Sequence, residues 1–402
     1  MINFDFDKDC YSCGLCETSC PTQAITFKPN VEASLVPNVA IDLCINCGKC
    51  DRICPHLNPP SCNNSLSTAD AYAAYNKDEK VRLASSSGGL FKLLADLFIK
   101  NGDYVCGCVW DNQMLPVHIV SNKPEDILKM MGSKYIGSIA KNCYEEIKHL
   151  LKANHKVLFT GTPCQLDALY RYVGSQPNLY TMGVICHGVA IPSIWKQYLE
   201  KLENQYGKVI NYKFRDKTLG WTNFFNKITF ASNKTICYNV SVDALYMKAF
   251  LKGFILRERC FSCTFKGDKM KADLLVGDFW ELPKKYNQID DDKGLSCILV
   301  LSNQGRFLFE QIRSGVHFIP VEREEIFKGN QNLLRPYPKP LERDAFIAEI
   351  EAGEKDLYTI FNNYVKPKDT YNRIKLSFKK LLFKLGIYKP FYKLSRYLRK
   401  RL

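Results

Sequence analysis

Eight cysteines near the start of the chain have the type and spacing to hold redox-active iron. They read Cys10-x-x-Cys13-x-x-Cys16-x-x-x-Cys20-Pro21 and then Cys44-x-x-Cys47-x-x-Cys50-x-x-x-Cys54-Pro55, so the run repeats 34 positions on, 10 to 44 and 20 to 54. A short loop can wrap only three thiolates around one cubane, and in this pattern the fourth cysteine of each run serves the other cluster. Cys10, Cys13, Cys16 and Cys54 are therefore expected to hold one [4Fe-4S] cluster, and Cys44, Cys47, Cys50 and Cys20 a second. Gly14 and Gly48 let the backbone pass close to each cluster, and the prolines close the loops. Zinc knuckles and disulfide frameworks do not call for this three-plus-one spacing twice, and no histidine stands in zinc-finger register.

Four more cysteines carry candidate chemistry. Cys164 ends the loop Gly161-Thr162-Pro163-Cys164 after the apolar run Lys156 to Thr160, and Cys186 follows the apolar run Leu179 to Ile185. If the two runs are strands of a right-handed parallel crossover, both thiols emerge at the carboxyl edge of one sheet, where open α/β sheets bind ligands. Cys260-x-x-Cys263 alone reads as a redox dithiol, half a zinc site or two cluster ligands. Joined to Cys164 and Cys186 it completes a set of four, and in a chain already loading two clusters this favours a third [4Fe-4S] cluster over zinc. The remaining cysteines, Cys106, Cys108, Cys143, Cys237 and Cys297, fall in strand- or helix-like apolar patterns and read as packing residues, and Cys62 as a spare thiol.

The segment Ser85-Ser86-Ser87-Gly88-Gly89 opens a helix whose Leu90, Leu93, Leu94, Leu97 and Phe98 share one face. Such a loop exposes backbone N–H groups at the positive end of a helix and suits a phosphate, although a plain serine cap reads the same way. Lys134, in Gly132-Ser133-Lys134-Tyr135, is a further candidate for an anion. His187, beside Cys186, is a candidate proton donor, with a supporting hydrogen bond as its ordinary alternative. Arg215 and Asp278 sit among apolar strand residues, where a lone charge is costly, so each is expected to pair or to touch a cofactor.

These residues imply the elements that carry them. The chain has 402 residues, 46% of them apolar, which is enough for two or three domains with a sizeable core. The expected class is α+β: a ferredoxin-like module with two [4Fe-4S] sites over 1–60, a connection over 61–71, a mixed α/β flavin-binding body and a basic amphipathic helical tail. The body divides into 72–155 and 156–345, and the tail covers 346–402. Strands are expected from Tyr104 to Trp110 and from Val117 to Val120, with a helix from about Ser138 to Ala153. An antiparallel meander follows from Val209 to Val242, and Ser296 to Leu301 with Gln304 to Arg313 closes the body.

Several short motifs stand in order behind the two cysteine runs: Ser87-Gly88-Gly89, Gly132-Ser133-Lys134-Tyr135, Gly161-Thr162-Pro163-Cys164-Gln165, Cys186-His187-Gly188, Phe214-Arg215-Asp216-Lys217 with Gly220-Trp221, Cys260-x-x-Cys263 and Gly277-Asp278-Phe279-Trp280. Together they resemble the family of coenzyme F420 hydrogenase/dehydrogenase beta subunits over about residues 1–330. The resemblance implies FAD beside a [4Fe-4S] cluster, with hydride exchange to a deazaflavin or another organic substrate. It implies that Ser86, Ser87, Gly88 and Gly89 cradle the FAD pyrophosphate. It also implies that Lys134, Gly161, Thr162, Arg215 and Asp278 contact the cofactor, and it agrees with Cys164, Cys186, Cys260 and Cys263 as a ligand set.

A flavin makes these parts cohere, because clusters move single electrons, a hydride carries two, and FAD handles either. The expected function is an iron-sulfur flavoprotein oxidoreductase linking a redox protein partner, a ferredoxin or a catalytic subunit, to FAD and then to coenzyme F420 or a related substrate. The alternatives are an electron-transfer subunit with no substrate of its own, and a reductase of a biosynthetic intermediate, for instance in surface polysaccharide synthesis. The charge of +15 is not spread over the body: from Lys366 to Leu402 thirteen Lys or Arg face the single Asp369, a local +12 that leaves +3 elsewhere. Ile374, Phe378, Leu381, Leu382 and Leu385 form an apolar stripe there, and the pattern resumes after Pro390. Such a tail suits an anionic membrane surface, its own body or an acidic partner, and not nucleic acid. With an acidic opening, MINFDFDKDC, and no apolar run of membrane length, the expectation is a cytoplasmic chain, free or peripheral on the inner face of the membrane.

Overall fold

The computed structural model describes residues 1–63, 65–365 and 370–385. The N-terminal module is built around the cysteine loops and one hairpin, β1 (Ile25–Pro29) and β2 (Leu35–Val39), paired antiparallel with Ile25 opposite Val39. Each cysteine loop turns through a left-handed glycine, Gly14 at φ +80° and Gly48 at φ +68°, directly into a short helix, Leu15–Thr18 or Lys49–Ile53.

The body is organised by an eight-stranded mixed sheet in the order β13-β3-β12-β11-β7-β6-β4-β5. Its strands are β3 (Asp70–Asn76), β4 (Tyr104–Trp110), β5 (Pro116–Ser121), β6 (Val157–Gly161), β7 (Leu179–Val184), β11 (Leu274–Asp278), β12 (Ser296–Val300) and β13 (Val316–Pro320). The central four, β11, β7, β6 and β4, run parallel, and this is the crossover expected from the two apolar runs around Cys164. The helix between β6 and β7, Pro163–Val173, starts with proline in its first turn behind a Thr162/Gln165 capping box. A separate antiparallel sheet of β8 (Val209–Asp216), β9 (Phe225–Phe230) and β10 (Thr235–Asn239) is the expected meander.

The structure revises several expectations. The helix expected from Ser138 begins only at Lys141, as a 3-10 turn, and becomes α-helical over Tyr144–Lys152. The stretch before it is extended instead, with Ile136 bridging Ala190 and Ile139 bridging Val117. The connection over 61–71 is bound to the body: the Asn63 side chain donates to the Met270 carbonyl, Leu66 is buried, and β3 already begins at Asp70. The body also continues past residue 345, because Phe346, Ile350, Ile360, Phe361 and Val365 belong to its largest apolar cluster.

The tail helix Thr370–Lys384 lies on the body through a face that shares only Leu382 with the expected stripe. Leu376 and Leu382 are buried and Lys379 donates to Asp292, while Ile374, Phe378, Leu381 and Leu385 of the expected stripe are exposed. The pattern after Pro390 lies outside the described residues. Among the described residues no helix is long and apolar enough to cross a membrane. Of the cysteines read as packing residues, Cys106, Cys143 and Cys297 are buried, Cys108 is half-buried and Cys237 is exposed.

Candidate functional site

The three cysteine sets differ in their surroundings. Cys16 and Cys54 share a small apolar cluster with Ile2 and Ile25, and Cys10 is buried close to Cys16. Cys13 completes this set: burial first, and then the neighbouring Cys10 and Cys16 charges, push its thiol well up. Cys10, Cys16 and Cys54 are raised chiefly by burial as well. Buried thiols that oppose one another's ionisation suit a cationic metal core, which alone would stabilise them as thiolates. Cys20, Cys44, Cys47 and Cys50 line a small cavity with Gly48 and Pro21, and Cys47 there is exposed.

The third set gathers at the carboxyl edge of the parallel strands. Burial, then the charges of Cys263 and Cys186, raise the Cys164 thiol. Cys186 and Cys263 are raised by burial and opposed by Lys266, whose ammonium donates to the carbonyls of Cys186 at 2.6 Å and Asn332 at 2.7 Å. Cys260 is raised by burial and by Cys186. Among the described residues no group of three or more His, Cys, Asp or Glu side chains is close enough to hold one metal ion. All three sets are thus thiol neighbourhoods and not preformed single-ion sites.

The N-terminal module docks with its first run against this third set. Arg257, just before Cys260, donates to the Cys10 carbonyl at 3.1 Å. Arg259 donates to Asp9 at 3.0 Å and to the Tyr11 hydroxyl at 2.7 Å, and the Thr264 N–H also donates to Tyr11, at 3.1 Å. From the other side Tyr144 donates to the Cys13 carbonyl at 3.1 Å, and Lys141 pairs with Glu17.

A cavity of about 490 Å³ opens at the junction, within the range of roughly 300–1,000 Å³ typical of small-molecule sites. Cys13, Cys164 and Cys186 line it, as do Ser86, Ser87, Gly89, Lys134, Gly161, Thr162, His187 and Asp278. Ser86 accepts from the Ser133 N–H at 2.8 Å, which joins the two loops read as anion-binding. Gly89, at φ +84°, starts the helix Leu90–Lys100, whose first N–H groups have no partner within the helix. Lys134 has its ammonium on the carbonyls of Lys129 and Gly132, both at 3.2 Å, and burial lowers its pKa.

Three expected contacts take other roles. Gly88 is not among the lining residues: its N–H donates to Ser296 Oγ at 2.9 Å, and a Cβ there would stand 2.5 Å from the Ala74 carbonyl, so it lets the loop pack on β3 and β12. Arg215 lies behind the wall, donating to Asp278 at 2.7 Å and to the Tyr135 hydroxyl at 3.3 Å, while Trp221 donates to the other Asp278 oxygen at 2.9 Å. His187 has both ring nitrogens engaged, Nε2 with the Phe250 carbonyl at 3.2 Å and Nδ1 with Asn332 at 2.7 Å. Burial lowers it to about 4, so the imidazole is a neutral support and not a proton donor. Sequence reasoning missed Cys108, His118 and Tyr135 on the cavity wall and Lys217 behind it. Alternation along β4 and β5 places Cys108 opposite His118, but it does not show that this pair opens to a cavity.

Comparison with known proteins relates two stretches of the chain to known families. Residues 154–323 match the family described as the C terminus of the coenzyme F420 hydrogenase/dehydrogenase beta subunit. Over those residues the chain carries the C-terminal domain of that family. Its residues 9–58 match a 4Fe-4S dicluster domain, so the N-terminal module is an iron-sulfur domain. Among curated relatives, the F subunit of the F(420)H(2) dehydrogenase of Methanosarcina mazei is 24% identical over 188 residues, 44% of this chain and 53% of that protein. Protein MJ1349 of Methanocaldococcus jannaschii is 25% identical over 203 residues, 42% of this chain and 54% of that protein. The chain thus matches about half the length of these relatives. Among solved structures, a chain of the F420-reducing [NiFe] hydrogenase complex from Methanosarcina barkeri is similar, with TM-score 0.45 and 18% identity over 65% of this chain and 89% of that one.

Proposed function

We propose that the chain is an iron-sulfur flavoprotein that carries electrons between a redox protein partner and FAD, with hydride exchange to coenzyme F420 or a related organic substrate. The observation that carries this reading is one junction: Cys13 of the first set and Cys164 and Cys186 of the third line the same cavity, while the second set, with Cys47 exposed, lies in the module beyond them. Electrons would pass from the second set to the first, then to the third and into the cavity, or back along the same path. The donor chemistry fits iron-sulfur clusters, because each set offers four thiols and no competing histidine.

FAD fits the cavity on two grounds. The loop Ser86–Gly89 meets a helix N-terminus there, which suits a pyrophosphate, and the wall is otherwise largely apolar. When bound, FAD would couple single-electron and hydride transfer. In this reading Ser86, Ser87, Gly89 and Lys134 hold it, Gly161 and Thr162 border it, and Asp278, fixed by Arg215 and Trp221, shapes the wall.

Anaerobic reconstitution tests the proposal by counting cofactors. About twelve irons per chain and one FAD are expected, and about four irons without flavin would overturn it. A second reading is favoured by the Methanosarcina mazei relative, which is named as a subunit. In that reading this chain passes electrons to a partner and has no substrate of its own. Oxidation of reduced F420 by the isolated chain with an artificial acceptor supports the first reading, and activity only with a partner protein supports the second.

A further inference from the structure

A loop that presents its N–H groups to an anion must satisfy its carbonyls elsewhere. Lys217, at the end of β8, does this from behind the Ser85–Gly89 loop. Its ammonium donates to the Arg82 carbonyl at 2.6 Å and to the Ser87 carbonyl at 2.7 Å. Gly294, at φ +111°, makes room for the contact: a Cβ there would stand 2.5 Å from the Lys217 Nζ and 2.4 Å from the Ser87 carbonyl oxygen. From the same side Ser87 Oγ donates to the Leu295 carbonyl at 3.0 Å, and Arg82 Nε donates to the Gly294 carbonyl at 2.8 Å.

Lys217 is 4% exposed, and the acids around it are already engaged. Asp278 accepts from Arg215 and Trp221, Asp291 from Arg82, and Asp292 from Lys379 and Thr222. Among the described residues its hydrogen bonds are to carbonyls, so the positive charge is buried with dipoles for company. That arrangement is costly until an anion arrives nearby. Burial first, then Arg82, lowers the Lys217 pKa to about 7.

We propose that Lys217 is a positioning residue for the phosphate cradle, turning the loop carbonyls outward and compensating the pyrophosphate of a bound flavin nucleotide. The inference rests on the flavin reading above. An anion in the field of Lys217 favours its charged form, so FAD binding takes up a proton wherever the free protein leaves the amine neutral. Below about pH 7 the amine is already charged and the affinity is flat. Above it the affinity falls with rising pH, approaching about tenfold per pH unit until the amine titrates in the complex as well. The groups facing Lys217 are Arg82 on the helix Glu79–Ala84, Lys213 and Arg215 on β8, Asp278 on β11, and Asp291 and Asp292 before β12. Variants at Lys217 itself separate its share from theirs.

The test is calorimetric titration of FAD into the cluster-loaded full chain after flavin removal, in two buffers of different ionisation heat at about pH 8. Riboflavin, which lacks the phosphates, serves as the second probe. FAD binding is expected to take up as much as about one proton, and riboflavin binding none. Lys217→Arg should bind FAD at pH 8 about as tightly as the native chain does below pH 7, with no proton uptake, and Lys217→Met should bind at least about tenfold more weakly than the native chain with a flat pH profile. FAD binding without proton uptake, unchanged in Lys217→Met, would overturn the inference and leave the flavin reading standing. No FAD binding by the unaltered chain would overturn both.

Discussion

The two cysteine runs, Cys10 to Pro21 and Cys44 to Pro55, have one spacing and two environments. The first is pressed into the body: Leu15 is fully buried in the cluster beneath β4 and β6, and the carbonyls of Cys10 and Cys13 accept from Arg257 and Tyr144. The second faces outward, with Ile41, Leu43 and Ile45 exposed and Cys47 beside them. Spacing therefore decides what each run can hold, whereas docking decides which run meets the cavity and which meets a partner. A repeat in sequence has become an inside and an outside.

The largest effect that separates them should come from the thiols. Cys16→Ala and Cys47→Ala should each lower iron by about four per chain, because each removes a ligand of one proposed cluster. Only Cys16→Ala should also undock the module, since the cluster it unloads holds the run whose Leu15 and whose Cys10 and Cys13 carbonyls contact the body. Limited proteolysis should then release residues 1–60 from that variant and not from Cys47→Ala. Equal release from both would remove the distinction between inner and outer runs.

The glycines that open the two short helices sharpen the same contrast. Alanine at either position takes a left-handed conformation at a cost of about 1–2 kcal/mol. At Gly14 the new Cβ would also stand 2.4 Å from Lys141 Cβ, whereas at Gly48 the nearest atom is the mobile Arg52 Nη1 at 3.1 Å. Gly14→Ala should therefore destabilise by about 3 kcal/mol and Gly48→Ala by about 1 kcal/mol in anaerobic urea denaturation.

Acid should also act on the inner side first. His118 is buried, stacks on Phe159 in the wall that holds Leu15, and donates from Nε2 to the Thr160 carbonyl at 3.0 Å. Burial lowers its pKa from 6.5 to about 4, so as the pH falls the unfolded chain takes the proton before the folded one does. Stability is thus lost between pH 6.5 and about 4, by as much as about 1.4 kcal/mol per pH unit and about 3 kcal/mol in all. His118→Gln keeps a donor for Thr160 without the titration, and should flatten stability measured over that window.

The run spacing, the Cys164/Cys186 crossover and the meander were legible because each rests on local pattern: metal-ligand intervals, strand-length apolar runs and turn residues. What was not legible depends on contacts distant in sequence. Gly88 and Gly89 look alike in sequence, yet Ser296 and Ala74, about 200 and 14 positions away, hold one against the sheet and leave the other on the cavity. The tail pattern predicted a stripe but not which side of the helix Asp292 would draw down through Lys379. Lys217 belonged to a recognised motif, and its role appeared only once Ser87 and Gly294 were placed against it.

The smallest structural effect is expected on the outer run, where a change should be felt by a partner and not by the fold. Ile45 is 64% exposed two residues before Cys47, so Ile45→Ser removes little buried surface and should change stability by no more than about 0.5 kcal/mol. If electrons enter at the second set, the same residue lies on the surface a donor must cover, and exposed apolar groups beside a redox centre contribute to such transient contacts. The second-order rate of reduction by a reduced ferredoxin should then fall by roughly an order of magnitude in stopped-flow mixing. Leu341→Ser, an equally polar change at a fully exposed site on the body, should leave that rate unaltered. Equal rates for native chain, Ile45→Ser and Leu341→Ser would mean that the donor enters elsewhere, and the outward face of the second run would lose its assigned role.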